Sequence, residues 1–322
     1  MKADKSPLIT VITLSYNSPD IFGAIDSVLN QTYDNIEYII LDDGTSDFDI
    51  KIIKEYVETN QKGNIKSLIV EKNQKRCGIV KQTNKATALS KGEYIFNLAG
   101  DDQFADEKVL SDWVDEFIKT GADYMTAYRD VYDSTLQNFL YRMPNDEELN
   151  AIKTFSPQQL FEYVEGYNIV LGCCTARSRK NVEEVGPISE RYKLVEDYIL
   201  LLKILRMGIK VEFFDRVVVK YRDGGICSVH YVNREYWQDS DRIFYKEVLP
   251  YSNNKRVAKE KYYRWKDVVL LGKVRQQFQQ EKKDKKGNAL KIFFLYIRYA
   301  FQYPKIARQM LRMKVNSKKR RK

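Results

Sequence analysis

With 322 residues, 43% of them hydrophobic, the chain can bury a sizeable core and is expected to hold one principal domain with an appendage. Four cysteines without a CxxC spacing (Cys77, Cys173, Cys174, Cys227) and a single histidine exclude a typical structural zinc site and fit a reducing compartment. The net charge of +10 divides unevenly: residues 255–322 hold 23 Lys+Arg against 4 Asp+Glu, and residues 1–254 hold 31 against 40. An acidic body therefore carries a basic tail, which argues against a nucleic-acid-binding body and points the tail toward an anionic surface, either membrane or nucleic acid.

Met1 to Pro7 is short and polar, so no export signal is predicted ahead of the first strand. Leu8 to Leu14 reads as a buried strand, and Ser18-Pro19 as N-cap and first-turn proline of a helix through about Leu29. Ile36 to Leu41 is the second strand and runs into Asp42-Asp43-Gly44, where glycine permits a sharp turn. Helix is predicted over Asp49 to Asn60, strand over Ile65 to Val70, helix over Ile79 to Leu89 and strand over Tyr94 to Leu98, the last ending at Gly100-Asp101-Asp102. This alternation implies an α/β fold with a mostly parallel central sheet flanked by helices, and it puts both acidic clusters at the carboxyl edge, where such sheets bind ligands.

Glu107 to Thr120 reads as helix and Ala122 to Ala127 as strand; the tyrosine-rich run from Tyr128 to Glu165 is expected to be irregular, either acceptor-facing or an ordinary surface insertion. Glu196-Asp197 opens an apolar helix from Tyr198 to Met207, stopped at Gly208. Short strands are predicted at Lys210 to Phe214 and Val217 to Tyr221, before the loop Arg222-Asp223-Gly224-Gly225, and helices for most of the remainder. No apolar segment approaches the roughly 20 residues that span a bilayer. The stretch from Ala289 to about Met313 interleaves cations with aromatic and aliphatic residues, so it suits a membrane interface, with a helix packed on the body as the alternative.

Four segments in fixed order carry a family resemblance: Val11-Ile-Thr-Leu-Ser-Tyr-Asn17, Leu41-Asp-Asp-Gly-Thr-Ser-Asp47, Lys91-Gly-Glu-Tyr-Ile95 with Leu98-Ala-Gly-Asp-Asp102, and Val195-Glu-Asp197. Over roughly Pro7 to Ser228 the chain resembles family 2 glycosyltransferases of the Rossmann-like GT-A fold. The resemblance implies a GT-A domain at 1–228, with a nucleotide-binding half to about 105 and an acceptor half from about 106. A helical basic region follows at 229–322.

The resemblance also implies roles. Asp43 would accept from the N3–H of uracil, with Thr13, Ser15 and Tyr16 completing the base pocket; a turn-capping carboxylate is the alternative for Asp43. Asp101 would lie near the ribose and Asp102 on Mg²⁺ or Mn²⁺ at the diphosphate. Gly100 stands where a strict DxD has its first aspartate, and Gln82-Thr83-Asn84 where many relatives have Ala-Arg-Asn, leaving Asn84 as the nucleotide-side candidate there. Arg222 would contact phosphate, and His230 is a candidate metal ligand with a structural histidine as the alternative. Asp197 would be the general base of an inverting transfer, kept ionised by its helix N-terminus, with Glu196 orienting it or contacting the acceptor.

Lys261-Tyr-Tyr-Arg264-Trp265 has lysine where processive relatives have the glutamine of Gln-x-x-Arg-Trp, so one sugar per encounter is expected. The reading is a cytoplasmic enzyme, peripheral on the membrane's inner face, that moves a sugar from a UDP-sugar to a lipid-linked bacterial surface glycan and binds no nucleic acid. A protein-linked acceptor or a catalytically silent nucleotide-binding scaffold are the alternatives.

Overall fold

The structure is a computed structural model that describes residues 6–224 and 234–284, together with Phe294, Ile297 and Arg298. It opens with β1 (Ile9–Ser15), α1 (Ile21–Leu29), β2 (Ile36–Asp42), α2 (Ile50–Asn60), β3 (Ile65–Lys72), α3 (Ile79–Leu89), β4 (Tyr94–Ala99) and the short β5 (Gln103–Phe104). There follow α4 (Val109–Thr120), β6 (Tyr124–Tyr132), β7 (Phe139–Met143), α5 (Asp146–Thr154), α6 (Pro157–Tyr163), β8 (Thr175–Ser178), α7 (Arg179–Val185), α8 (Glu196–Arg206), β9 (Glu212–Arg222), α9 (Arg234–Ile243), a π-helical turn at Phe244–Val248, and α10 (Lys255–Asp284).

One sheet runs in the order β3-β2-β1-β4-β8-β6-β9-β5, with β7 paired to β6. The β3-β2-β1-β4 half is parallel, and β6 pairs β9 in parallel, while β8, β7 and β5 pair antiparallel. Helices cover both faces of the parallel half, which is why β1 and β2 read as near-continuous apolar runs. Within β2, Glu37 is buried and accepts hydrogen bonds from the Thr10 hydroxyl and the Lys91 amide, each at 2.6 Å.

The principal core packs α1, α2 and α4 on the sheet around Trp113, Phe96 and Phe117. A second joins α3, α5, α6 and α8 to Ile243, Phe244, Val248, Ala258 and Tyr262, so these residues beyond 228 pack into the same core as α5, α6 and α8.

Three expectations are corrected. The N-cap of α1 is Asp20, not Ser18: its carboxylate reaches the Gly23 amide at 3.1 Å. Tyr128 to Glu165 is regular, not irregular: β6 continues to Tyr132, β7 returns beside it, and α5 and α6 each begin with a capping box, Asn145 with Glu148 and Ser156 with Gln159. The two short strands after α8 are one strand, β9, with its register shifted opposite Tyr128. The antiparallel β8, four residues long, carries no signal of its own in the sequence and is fixed by its neighbours β4 and β6.

Candidate active site

The carboxyl ends of β1, β2 and β4 form one edge, and the first acidic pair divides its labour there. Asp42 is the turn cap: it accepts from the amides of Gly44 (2.9 Å) and Thr45 (2.7 Å) and from the Thr45 hydroxyl (2.7 Å). Asp43 points the other way and accepts from the amides of Cys77 and Gly78, both at 2.8 Å, and from the Asn73 side chain at 3.0 Å. Burial acts to raise its pKa, but the Cys77, Asn73 and Gly78 donors outweigh it and hold the carboxyl below its ordinary value. Gly78 has φ of +93°, and a Cβ there would lie 2.9 Å from the Lys193 carbonyl oxygen, so only glycine brings this amide to Asp43.

The other base-pocket candidates separate. Tyr16 is 42% exposed and the Arg76 guanidinium lies 5.1 Å over its ring. Ser15 is buried with its hydroxyl 3.3 Å from that of Ser18. Thr13 is fully buried and its hydroxyl pairs with that of Tyr38 at 3.0 Å, so it supports the sheet beneath the pocket. Asn84 is engaged elsewhere: its amide holds both the carbonyl (2.8 Å) and the N–H (2.9 Å) of Ile188.

At the end of β4, Asp102 is completely buried, with one carboxylate oxygen accepting from the Arg222 amide at 2.9 Å and the other without a hydrogen-bond partner. Burial, then the charge of Asp101, pushes its pKa well above the carboxylate range. Asp101 is the more accessible of the two. Gly100 is dictated by space: a Cβ would sit 2.8 Å from the Ser18 hydroxyl and 3.2 Å from the Leu14 carbonyl oxygen, which accounts for the incomplete DxD. Arg222, expected on a phosphate, is turned into the protein, where its guanidinium donates to the carbonyls of Asp101 (2.9 Å) and Ser134 (2.6 Å) and to the Asp20 carboxylate (2.8 Å).

These residues fit a divalent cation sparingly. The orphaned oxygen of Asp102 beside Asp101 is the donor chemistry a hard cation takes, yet among the described residues no three His, Cys, Asp or Glu side chains come together. His230 lies outside the described residues.

Glu196 and Asp197 form the first turn of α8. Asp197 accepts from the Gly172 amide at 3.1 Å and from the Tyr198 amide at 2.7 Å, and a Cβ on Gly172 would meet both acids at 3.3 Å, so glycine again permits the approach. The helix N-terminus is not the largest influence on the Asp197 carboxyl. Burial raises its pKa despite the Gly172 and Tyr198 amides and the nearby Arg129, and burial together with the charge of Asp197 raises that of Glu196 further. Val195, just before them, has φ of 64° and no side-chain cap.

No motif or period marks Arg129, although its charge is felt at both stations. It is 8% exposed, its guanidinium lies 4.6 Å over the Tyr221 ring and 4.0 Å from the Cys173 sulfur, and its charge acts on both Asp102 and Asp197. Burial in sequence of an arginine on a strand is invisible until the sheet is assembled; the same holds for Arg76 and Gly172.

A sheet of this order with carboxylates at its carboxyl edge matches the GT-A fold. The sequence model for "Glycosyl transferase family 2" matches residues 10–186, more than half of the chain, and the chain belongs to that family. It is 28% identical over 216 residues, 67% of its length and 77% of the relative's, to the Escherichia coli protein WfaP, named as a UDP-Glc:alpha-D-GlcNAc-diphosphoundecaprenol beta-1,3-glucosyltransferase. Its fold is similar to that of S. aureus TarS 1-349 in complex with UDP-GlcNAc (TM-score 0.57, 16% identity, 88% of this chain and 76% of that one). It is equally similar to the mannosyltransferase PcManGT from Pyrobaculum calidifontis in complex with GDP-Man and Mn2+ (TM-score 0.58, 15% identity, 97% and 85%).

Proposed function

We propose that the protein transfers one sugar per encounter from a UDP-sugar to a lipid-linked bacterial surface glycan, with inversion at the anomeric carbon. The observation that supports this reading is the presence of two carboxylate stations, Asp101 and Asp102 after β4 and Glu196 and Asp197 at the start of α8, with the charge of the buried Arg129 acting on Asp102 and Asp197. Asp197 accepts the acceptor hydroxyl's proton as its oxygen bonds to the anomeric carbon; the bond from that carbon to the diphosphate breaks and UDP leaves. A carboxylate raised by burial is a stronger base than an exposed one, which suits the step. Glu196 stays beside it as an orienting group.

On the donor side the uracil would stack on Tyr16, taking the place of Arg76, and Asp43 with the 73–78 loop would read its edge. Mg²⁺ or Mn²⁺, held by Asp101 and Asp102 with the donor's phosphates, would neutralise charge on the departing diphosphate. The name of the relative WfaP supports a UDP donor and a diphosphate-lipid acceptor. Calorimetric titration with UDP, GDP, dTDP and CMP, with and without Mn²⁺, tests the donor: metal-dependent binding of UDP alone is expected, and a preference for GDP would overturn it.

The basic region 255–322 supports an anionic membrane surface as partner. Ala258 and Tyr262 of α10 belong to the core, and no helix among the described residues is long and apolar enough to cross a membrane. The informative comparison is therefore the full chain against one ending at Asp284, in sedimentation with anionic liposomes. Loss of binding is expected in the shorter chain; equal binding would remove the tail from the reading.

A further inference from the structure

Helix α8 starts from a non-glycine residue in the left-handed region, whereas α2, α5, α6 and α7 start from polar caps on extended backbone. Asp49, Asn145, Ser156 and Ser178 cap their helices from extended backbone with φ between −111° and −64°, and each side chain accepts from a first-turn amide. Val195 caps α8 with no side-chain bond and with φ of 64°, a region that a β-branched residue enters only when its surroundings impose it.

The surroundings that impose it come from far along the chain. Asp239, on α9 and 2% exposed, accepts the amides of Lys193 at 2.7 Å and Leu194 at 2.9 Å on a single carboxylate oxygen, while its other oxygen meets Arg242 at 3.3 Å. From the opposite side the Val80 amide donates to the Lys193 carbonyl at 3.3 Å, and Gly78 packs directly on that carbonyl. Glu235, one turn before Asp239, pairs with both Lys193 and Arg76 at 3.2 Å. The peptide leading into the acid pair is thus clamped between α9 and the start of α3.

We propose that Asp239 is a positioning residue for transfer: by fixing the Lys193 and Leu194 amides it keeps Val195 in the left-handed conformation and so sets where the Asp197 carboxylate stands against Gly172 and the acceptor oxygen. This rests on Asp197 being the general base. Asp239 itself touches neither donor nor acceptor; its effect passes through the backbone. Without it, Val195 relaxes to ordinary extended geometry, α8 begins in another orientation, and the base is misplaced while the nucleotide pocket at Asp43 and Tyr16 is left alone.

The test uses the full chain and UDP release from whichever of UDP-glucose, UDP-galactose and UDP-N-acetylglucosamine the wild type consumes fastest. Asp239→Ala is expected to lower kcat on the order of 10- to 100-fold, as misplacing a reacting group does, with UDP affinity by calorimetry within about twofold. Asp239→Asn, which keeps an acceptor oxygen, should retain most of the rate. Glycine adopts positive φ freely, so adding Val195→Gly to Asp239→Ala should recover part of kcat.

An Asp239→Ala rate equal to wild type overturns the proposal, as does a double variant no faster than Asp239→Ala. A fall in UDP affinity that matches the fall in rate also overturns it, since that is what general destabilisation produces. Should Asp239→Ala not fold, Asp239→Ser replaces it with the same outcomes, its shorter hydroxyl being unable to span both amides. Asp197→Asn, run alongside, separates the two failures. Wild-type rate in Asp197→Asn removes the general-base reading, and an inactive Asp197→Asn beside a fully active Asp239→Ala removes only the positioning role.

Discussion

At the donor edge, three N–H donors hold Asp43 below its ordinary pKa, whereas at the start of α8 burial drives Glu196 and Asp197 above theirs. Both stations are carboxylates beside a close-packed glycine, Gly78 in one and Gly172 in the other. The difference lies in how many amides each carboxylate receives against how much water it loses. A fixed anion suits recognition, which needs a constant charge; a carboxylate poised higher suits proton uptake, which needs one that changes.

The largest expected effect breaks the acceptor side alone. Asp197→Asn should lower transfer by about 10²- to 10⁴-fold, the range of general-base catalysis, with UDP affinity nearly intact; a wild-type rate would refute the assignment. Because the base must be ionised and its pKa is raised, the wild-type rate should climb with pH to values above the ordinary carboxylate range of about 4. Stability should move oppositely. Raised acids favour the folded state while protonated, so the contribution of Glu196 and Asp197 is complete below about pH 4 and declines as pH rises through their folded values.

An intermediate effect is expected where the donor side has given up an acid for space. Gly100→Asp, which completes the DxD on paper, should cost about 1–3 kcal/mol in urea unfolding through crowding of Ser18 and the Leu14 carbonyl, and should not tighten Mn²⁺-dependent UDP binding. Tighter binding would mean that the edge can open to admit the extra ligand.

The smallest effect should come from Asp43→Asn, which keeps one acceptor oxygen and turns an NH₂ group toward amides: about 1 kcal/mol of stability, with weaker UDP binding and unchanged acid behaviour of the Glu196 pair. Asp43 has a lowered pKa, so its stabilising contribution is present above about pH 4 and is lost as pH falls through its folded value. That acid-side loss should vanish in Asp43→Asn denaturation curves; its persistence would move the lowered charge to another residue.

The same two halves differ in how much of them the sequence discloses. From Ile9 to Ala99 every strand and helix falls within a few residues of its predicted span, because doubly covered strands are uninterrupted apolar runs and the helices between them are amphipathic. From Tyr128 to Glu165, and again across β9, the pattern fails for a physical reason. Phe139, Leu140 and Tyr141 of β7 are consecutive and all exposed, so no alternation announces a strand, and β9 bends through register shifts that resemble a break. The capping boxes at Asn145 and Ser156 are the signal that was there to be used.

Within the site, the acids are legible as motifs, but their partners are not. Nothing local tells Asp42 from Asp43, and Gly172, Arg129 and Asp239 meet α8 or its approach only through the assembled sheet and helices.

Several of the ties that hold this site grip backbone and not side chain. Arg222 holds the carbonyl of Ser134 in the β6–β7 connection, and Asn84 holds the peptide of Ile188. Any residue offers a carbonyl. The exposed side chains of the hairpin beyond Ser134 can therefore change while its backbone stays fastened to Arg222, and through it to Asp20 and Asp101.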